Sequence, residues 1–305
     1  DRGVVIMDTG ASVLAKLKNK AQKSGKSFQL HLQLFCQEEF LRRLSLSPYS
    51  DNLVLKGGLF IYTLTNFESR STVDIDFLLH HLSAGLNNIP KIIEDIFSVN
   101  TGNDFIIFTA LGYEEISPQR KYRGISFQVI GQIKNTKTPF SVDIGIGDVI
   151  VPKPEKRTVP VQLDDFQKPV VATYSLESTI AEKFDAILQR LQLTSRMKDF
   201  YDIYYLSCAF DFDGIQLQQA IFETLKNRGT PYGSDSLDKI VSFSADREMQ
   251  VQWRRFLQRS SLPELSFDEV LFGISAFLRP AWQSIITEDE MTGKWDAATS
   301  SWQRS

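Results

Sequence analysis

Asp74 and Asp76 are separated by one residue inside an apolar run, Val73-Asp74-Ile75-Asp76-Phe77-Leu78-Leu79. In a β-strand side chains alternate, so Val73, Ile75 and Phe77 are expected to face a core and the two carboxylates to face the other way. Carboxylates about 7 Å apart repel by roughly 2 kcal/mol at an effective dielectric of about 20, and a divalent cation between them reverses the sign. Mg²⁺ takes one or two carboxylates plus substrate phosphates, which suits chemistry on a nucleoside triphosphate (NTP) better than a closed structural site. The competing reading is a strand whose outer face is wet, where the repulsion drops below about 1 kcal/mol. The pair alone leaves both readings open.

The preceding segment is more informative. Lys56-Gly57-Gly58 ends one apolar run and opens another, and Arg70-Ser71-Thr72 stands just upstream of the two aspartates. Glycines at a strand-to-helix junction let backbone N–H groups approach a phosphate, and a helix N-terminus favours negative charge. Further along, Asp143 lies near the end of an apolar β-run, with Asp148 as a competitor for any third carboxylate. Lys183 falls at the margin of a helical stripe formed by Ile180, Phe184, Ile187, Leu188 and Leu191, and position alone favours a side chain snorkelling over the core edge. Asp199 and Asp202, three apart, share a helix face with Arg196, which on spacing alone is a surface ion-pair ladder. His80 and His81 read as a polar strand end.

Elements to position these residues can be assigned from periodicity. About Thr9 to Leu46 reads as two helices, the first capped by Thr9 and the second packed through Leu30, Leu32, Leu34, Phe35, Phe40 and Leu41. A strand over Asn52–Lys56, a glycine turn and a short helix to Leu64 precede a strand over Val73–Leu79. Asn88–Val99 reads as a helix with Asn88 as its cap and Pro90 in the first turn. Three β-rich runs follow, Phe105–Ile116, Tyr122–Ile133 and Thr138–Ile146. From about Ser175 to Leu278 helical periodicity dominates, and the tail from Glu288 shows none and is expected to be loosely ordered. The expected fold class is α+β: N-terminal helices and a mixed α/β domain over residues 1–174, then a helical domain over 175–305.

The block KGG-to-RSTVDIDF, the acidic strand ending at Asp143, Ala181-Glu182-Lys183 and Arg196-Met197-Lys198-Asp199-Phe200-Tyr201-Asp202 together resemble the AbiEii/AbiGii abortive-infection toxins, nucleotidyltransferases of the DNA polymerase β-like superfamily. The resemblance covers about Leu53 to Leu206. It implies a nucleotidyltransferase-like mixed β-sheet with flanking helices followed by a C-terminal helical bundle. It further implies transfer of a nucleoside monophosphate from an NTP, with Asp74, Asp76 and Asp143 as catalytic carboxylates and ligands of Mg²⁺ or Mn²⁺. Lys56, Gly57, Gly58, Arg70, Thr72, Lys183, Asp199 and Asp202 become the expected nucleotide-binding set, and Lys183 changes from a snorkelling residue to a phosphate contact. The 3′ end of a tRNA as acceptor and a separately encoded antitoxin as partner are implied by the resemblance alone.

Composition sets the remaining bounds. With 305 residues, 42% of them hydrophobic, the chain can bury a real core. No run approaches a membrane span and no secretory pattern opens the sequence, so a cytoplasmic protein is expected. The two cysteines, Cys36 and Cys208, have no metal-binding or disulfide spacing. A formal charge of −3 gives no global attraction to nucleic acid. The two basic clusters, Lys16 to Lys26 and Arg254, Arg255 and Arg259 beside Trp253, read first as solvated helix faces. A catalytically silent nucleotide- or partner-binding protein of the same fold is the alternative. A metal-dependent nuclease is disfavoured, because no acid followed by ExK spacing is present.

Overall fold

In a computed structural model of the protein, residues 8–82, 86–116, 123–191 and 196–304 are described. Tyr122, the expected start of the second β-rich run, lies outside them. The chain divides into two compact units, residues 1–147 with 155–173, and residues 148–154 with 174–305.

In the first unit, α1 (Thr9–Ser24) packs on α2 (Phe28–Leu46). Asp8, not Thr9, caps α1: its carboxylate accepts from the Ala11 N–H, and Thr9 is already the first helical residue. Helix α2 is buried almost all round, through Phe35, Phe40, Leu41 and Leu44 but also through Glu38, Glu39, Arg42 and Arg43. A charged helix tolerates such burial only when every charge is paired. Glu39 takes both arginines, and Arg43 also donates to the carbonyls of Phe97 and Ile106 at 2.7 and 2.8 Å.

The chain then runs through β1 (Leu53–Lys56), α3 (Gly57–Leu64), β2 (Ile75–Leu79), α4 (Ile89–Phe97), β3 (Ile106–Ile116), β4 (Arg123–Ile133), β5 (Thr136–Ile146), β6 (Glu155–Thr158) and β7 (Val170–Thr173). The strands form one mixed sheet in the order β3-β4-β5-β2-β1-β7-β6. β5 and β2, and β1 and β7, pair in parallel; the other neighbours are antiparallel. β2 starts at Ile75, so the expected strand from Val73 is two residues too long: Val73 is 45% exposed and does not face the core, because the ladder with β5 begins at Ile75 opposite Val142. Leu55, Phe77, Ile144 and Ile125 form one buried row across four strands. Asn88 stands at the start of α4 without a capping bond from its side chain. At the outer edge of the sheet, β3 slips register between Ala110 and Gly112, bulging at Leu111, and exposes Ile107, Leu111 and Tyr113.

The second unit is mainly helical: α5 (Leu176–Arg190), α6 (Met197–Ala209), the short β8 (Phe212–Asp213), α7 (Gly214–Arg228), α8 (Ser236–Val241), α9 (Arg247–Arg259) and α10 (Phe267–Thr287). Ser175 caps α5 through the Ser178 N–H at 3.0 Å. Phe184, Phe200, Trp253, Phe267 and Trp282 fill its core. The tail is ordered, contrary to the expectation from its composition. Residues Lys294–Asp296 and Ser301–Gln303 form β9 and β10, which pair with each other, and β9 also pairs with β8. The cause is two tryptophans: Trp295 is buried and donates to the Ser207 carbonyl at 2.6 Å, and Trp302 stacks on Phe277 and donates to its carbonyl at 3.0 Å.

Candidate active site

Directly opposed residues on neighbouring strands point to the same face of a sheet. In this register Lys56 on β1 faces Asp76 on β2, Asp76 faces Asp143 on β5, Asp143 faces Ser126 on β4, and Ser126 faces Glu114 on β3. One polar row thus crosses five strands, one residue along from the buried apolar row. Asp76 and Asp143 are half-buried. Roughly 5 Å apart at the backbone, they repel by about 1 to 3 kcal/mol depending on how far water screens them. Ser126 donates its hydroxyl to Asp143 Oδ1 at 2.5 Å. Asp74, just before β2, is exposed and accepts from the Ser141 hydroxyl at 2.5 Å.

Gly57 opens α3 with φ of 70°, and a Cβ added to it would come within 2.2 Å of Asp76 Oδ2. A Cβ on Gly58 would meet Thr72 Cβ and Oγ1 at 3.1 Å and an Arg70 guanidinium nitrogen at 3.4 Å. The glycine pair therefore does two jobs. The expected one concerns the first-turn amides of α3: Lys56 occupies the N-cap, and its side chain makes no capping hydrogen bond to them. The unexpected one makes room for Asp76, Thr72 and Arg70 around the junction. Lys56 and Arg70 are both buried. Gln37 on α2, also buried, donates to the Val73 carbonyl at 2.6 Å and so ties down the backbone that leads into Asp74.

The donor set is hard oxygen, and Asp76 with Asp143 fits the two-carboxylate site that substrate phosphates complete around Mg²⁺ or Mn²⁺. The expected three-carboxylate set is not gathered into one cluster. Asp74 is turned to Ser141 and Asp143 to Ser126, and among the described residues no group of three or more His, Cys, Asp or Glu side chains forms a metal-holding cluster.

Lys183, Asp199 and Asp202 come together in the second unit. Lys183 Nζ lies 2.6 Å from Asp202 Oδ2 and 3.5 Å from Asp199 Oδ1, and Arg196 Nε lies 2.9 Å from Asp199 Oδ2. All three expected residues are buried, so neither the snorkelling lysine nor the surface ladder describes them. Two positive and two negative charges balance inside the unit. Asp148, the competitor for a third carboxylate, takes the Arg228 guanidinium on both its oxygens at 3.0 Å. Arg228 also meets Glu182 at 3.2 Å and Asp185 at 2.8 Å. Burial opposes its charge, but Glu182, Asp148 and Asp185 hold it protonated beyond the ordinary arginine range.

The family model for the nucleotidyl transferase AbiEii toxin of type IV toxin–antitoxin systems matches residues 39–273. The chain belongs to the AbiEii toxin family. No curated protein matches it. Among solved structures, this AbiEii-family chain is similar to MenT4, a nucleotidyltransferase toxin from Mycobacterium tuberculosis H37Rv, at 14% identity and a TM-score of 0.53, over 90% of this chain and 98% of that one. JHP933 from Helicobacter pylori matches at 14% identity with a TM-score of 0.48, over 86% of this chain and 95% of the other. At such identity the likeness to MenT4 establishes the fold. No helix among the described residues is long and apolar enough to cross a membrane.

Sequence reading missed Ser126, Ser141, Gln37 and Arg228. Neither serine carries a local signal for its partner, which becomes readable only once the register between β2, β4 and β5 is known.

Proposed function

We propose that this AbiEii-family protein transfers a nucleoside monophosphate from an NTP to an acceptor hydroxyl. The acceptor oxygen bonds to the α-phosphorus, the bond from that phosphorus to the bridging oxygen of the β-phosphate breaks, and pyrophosphate leaves. Asp143, oriented by Ser126, takes the acceptor's proton. Asp76 and Asp143 would hold Mg²⁺ or Mn²⁺, which when bound neutralises phosphate charge. The α3 amides at Gly57 and Gly58, with Lys56, Arg70 and Thr72, hold the triphosphate; Lys183, positioned by Asp199 and Asp202, is a further nucleotide contact. The 3′ end of a tRNA as the acceptor and a cytoplasmic setting are part of this reading; membership of a type IV toxin–antitoxin family supports a cognate antitoxin as partner. The observation that carries the reading is the facing pair Asp76–Asp143 beside the cut-away Gly57.

The test is transfer of label from each α-³²P NTP, with Mg²⁺, to total RNA and to added protein. Transfer that Asp76→Asn and Asp143→Asn each abolish, without a fall in melting temperature, supports the reading. Binding of NTP with no transfer to either acceptor overturns it in favour of a silent nucleotide-binding protein.

A further inference from the structure

A cavity of about 440 Å³ opens in the second unit between one face of α7 and the C-terminal end of α10. Its volume is within the range of small-ligand pockets, roughly 300–1,000 Å³. Ile215 and Phe222, seven apart on α7, share a helix face and wall the slot together with Ile285 and Tyr232. Phe222 and Tyr232 are 41% and 40% exposed, so two aromatic rings stand open at a protein surface. Tyr232 is braced from behind by Trp282, edge to face at 5.2 Å between centroids.

The polar side of the slot is unusual in sign. Glu288, Asp289 and Glu290 line it, and none of the residues lining it is basic. They follow directly on the C-terminus of α10, a 21-residue helix with no basic residue in its last turn. The helix dipole is negative at that end, where cations are favourable and carboxylates are not. Three acids there are electrostatically frustrated in the isolated protein. The segment is nevertheless fixed: Gln218 on α7 donates to the Asp289 carbonyl at 2.7 Å and accepts from the Met291 N–H at 2.7 Å. The Asp289 carboxylate takes the Thr287 hydroxyl at 2.7 Å, whereas among the described residues no side chain bonds to the carboxylate of Glu288 or Glu290.

A preformed apolar slot with open aromatic faces and a rim of like-charged carboxylates has one complementary ligand chemistry. We propose that it binds an organic cation, an alkylammonium or alkylguanidinium group carried on an apolar stem. The stem packs on Ile215 and Ile285, the rings face the cation, and Glu288 and Glu290 pair with it. Phe222 already attracts a cation from its own helix, the Lys226 ammonium 5.8 Å from its centroid. The site is independent of the transferase reading, since it uses none of the residues assigned there.

Titration of ¹³C-methyl-isoleucine protein, followed by NMR at Ile215 and Ile285, tests this with two probes: agmatine, a free guanidinium on an alkyl stem, and a capped tripeptide with arginine at its centre. Saturable shifts at both methyls at about 1 mM probe or below are expected, weakened at least about tenfold in Glu288→Gln/Glu290→Gln. Saturation by agmatine identifies a free small cation as the ligand class; saturation by the peptide alone identifies a side chain of a protein partner. The paired variant removes charge repelled by the helix dipole, so its melting temperature should not fall. No saturable shift with either probe, or shifts of equal affinity in wild type and the glutamine variant, overturns the proposal.

Discussion

The carboxylate of Asp76 occupies the space that any side chain at Gly57 would need. A Cβ there would lie 2.2 Å from Oδ2 and 2.8 Å from Cγ, and the backbone φ of 70° is one that L side chains rarely adopt. Gly25 supplies the internal control: its φ is 71°, but nothing lies within 4 Å of an added Cβ. Gly25→Ala should lower stability by about 1 kcal/mol through backbone strain alone. Gly57→Ala should cost about 2 kcal/mol more, because Asp76 must move as well. Urea unfolding of both variants against wild type reads the difference; equal losses would mean that the Asp76 side chain swings away freely.

Lys183→Met leaves Asp202 buried without its ammonium and should destabilise the second unit by about 3 kcal/mol. Asp202→Asn should have a similar cost from the other side. The double variant should lose clearly less than the sum, by on the order of 1–3 kcal/mol, since the two share one interaction. A thermodynamic cycle from chemical denaturation measures this, and strict additivity would show that the pair does not interact.

Arg228 compensates Asp148, Glu182 and Asp185 together. Arg228→Met is expected to lose about 3–5 kcal/mol, as when one partner of a buried ionic cluster is deleted. Arg228→Lys should recover only part of it, because a lysine cannot make the two-pronged bond to Asp148. Melting temperatures of the two variants should separate in that order.

Burial pushes the Glu38 carboxyl up to about 8 from its ordinary 4.5, against the pull of Arg42 and the Gln162 N–H. The folded state therefore keeps a proton that the unfolded chain releases between those values. Stability from this group falls as pH rises from 4.5 towards 8 and is level on either side of that window. Glu38→Gln should flatten the fall, and denaturation midpoints taken across the window in both proteins check it.

Much of this arrangement was legible in the chain. The alternation Ile75-Asp76-Phe77 gave a strand with Asp76 opposite its apolar face, although Asp74 falls just before it, and Lys56-Gly57-Gly58 gave its neighbour and the helix that follows. The reading of Val73 failed because strand length is set by where a partner is available, and the ladder with β5 starts two residues later. Ser126 and Ser141 were hidden because pairing partners 17 and 67 residues apart leave no local pattern. The ion pair of Asp148 was hidden in the same way, because Arg228 lies 80 residues on. Burial of Asp199 and Asp202 was equally invisible, since a polar helix face looks the same whether water or a lysine covers it. The tail defied its composition because two tryptophans outweigh the polar residues around them when each finds a carbonyl.

The bulge at Leu111 bears on how densely the protein can be stored. β3 is a long edge strand with three large apolar side chains in water, the kind of border on which a stranger's strand can settle. The bulge at Leu111 breaks the ladder with β4 at the middle of the strand, and a bulge bends its strand and increases the local twist. Deletion of Leu111 is therefore expected to make the border a continuous template and to raise aggregation at high concentration.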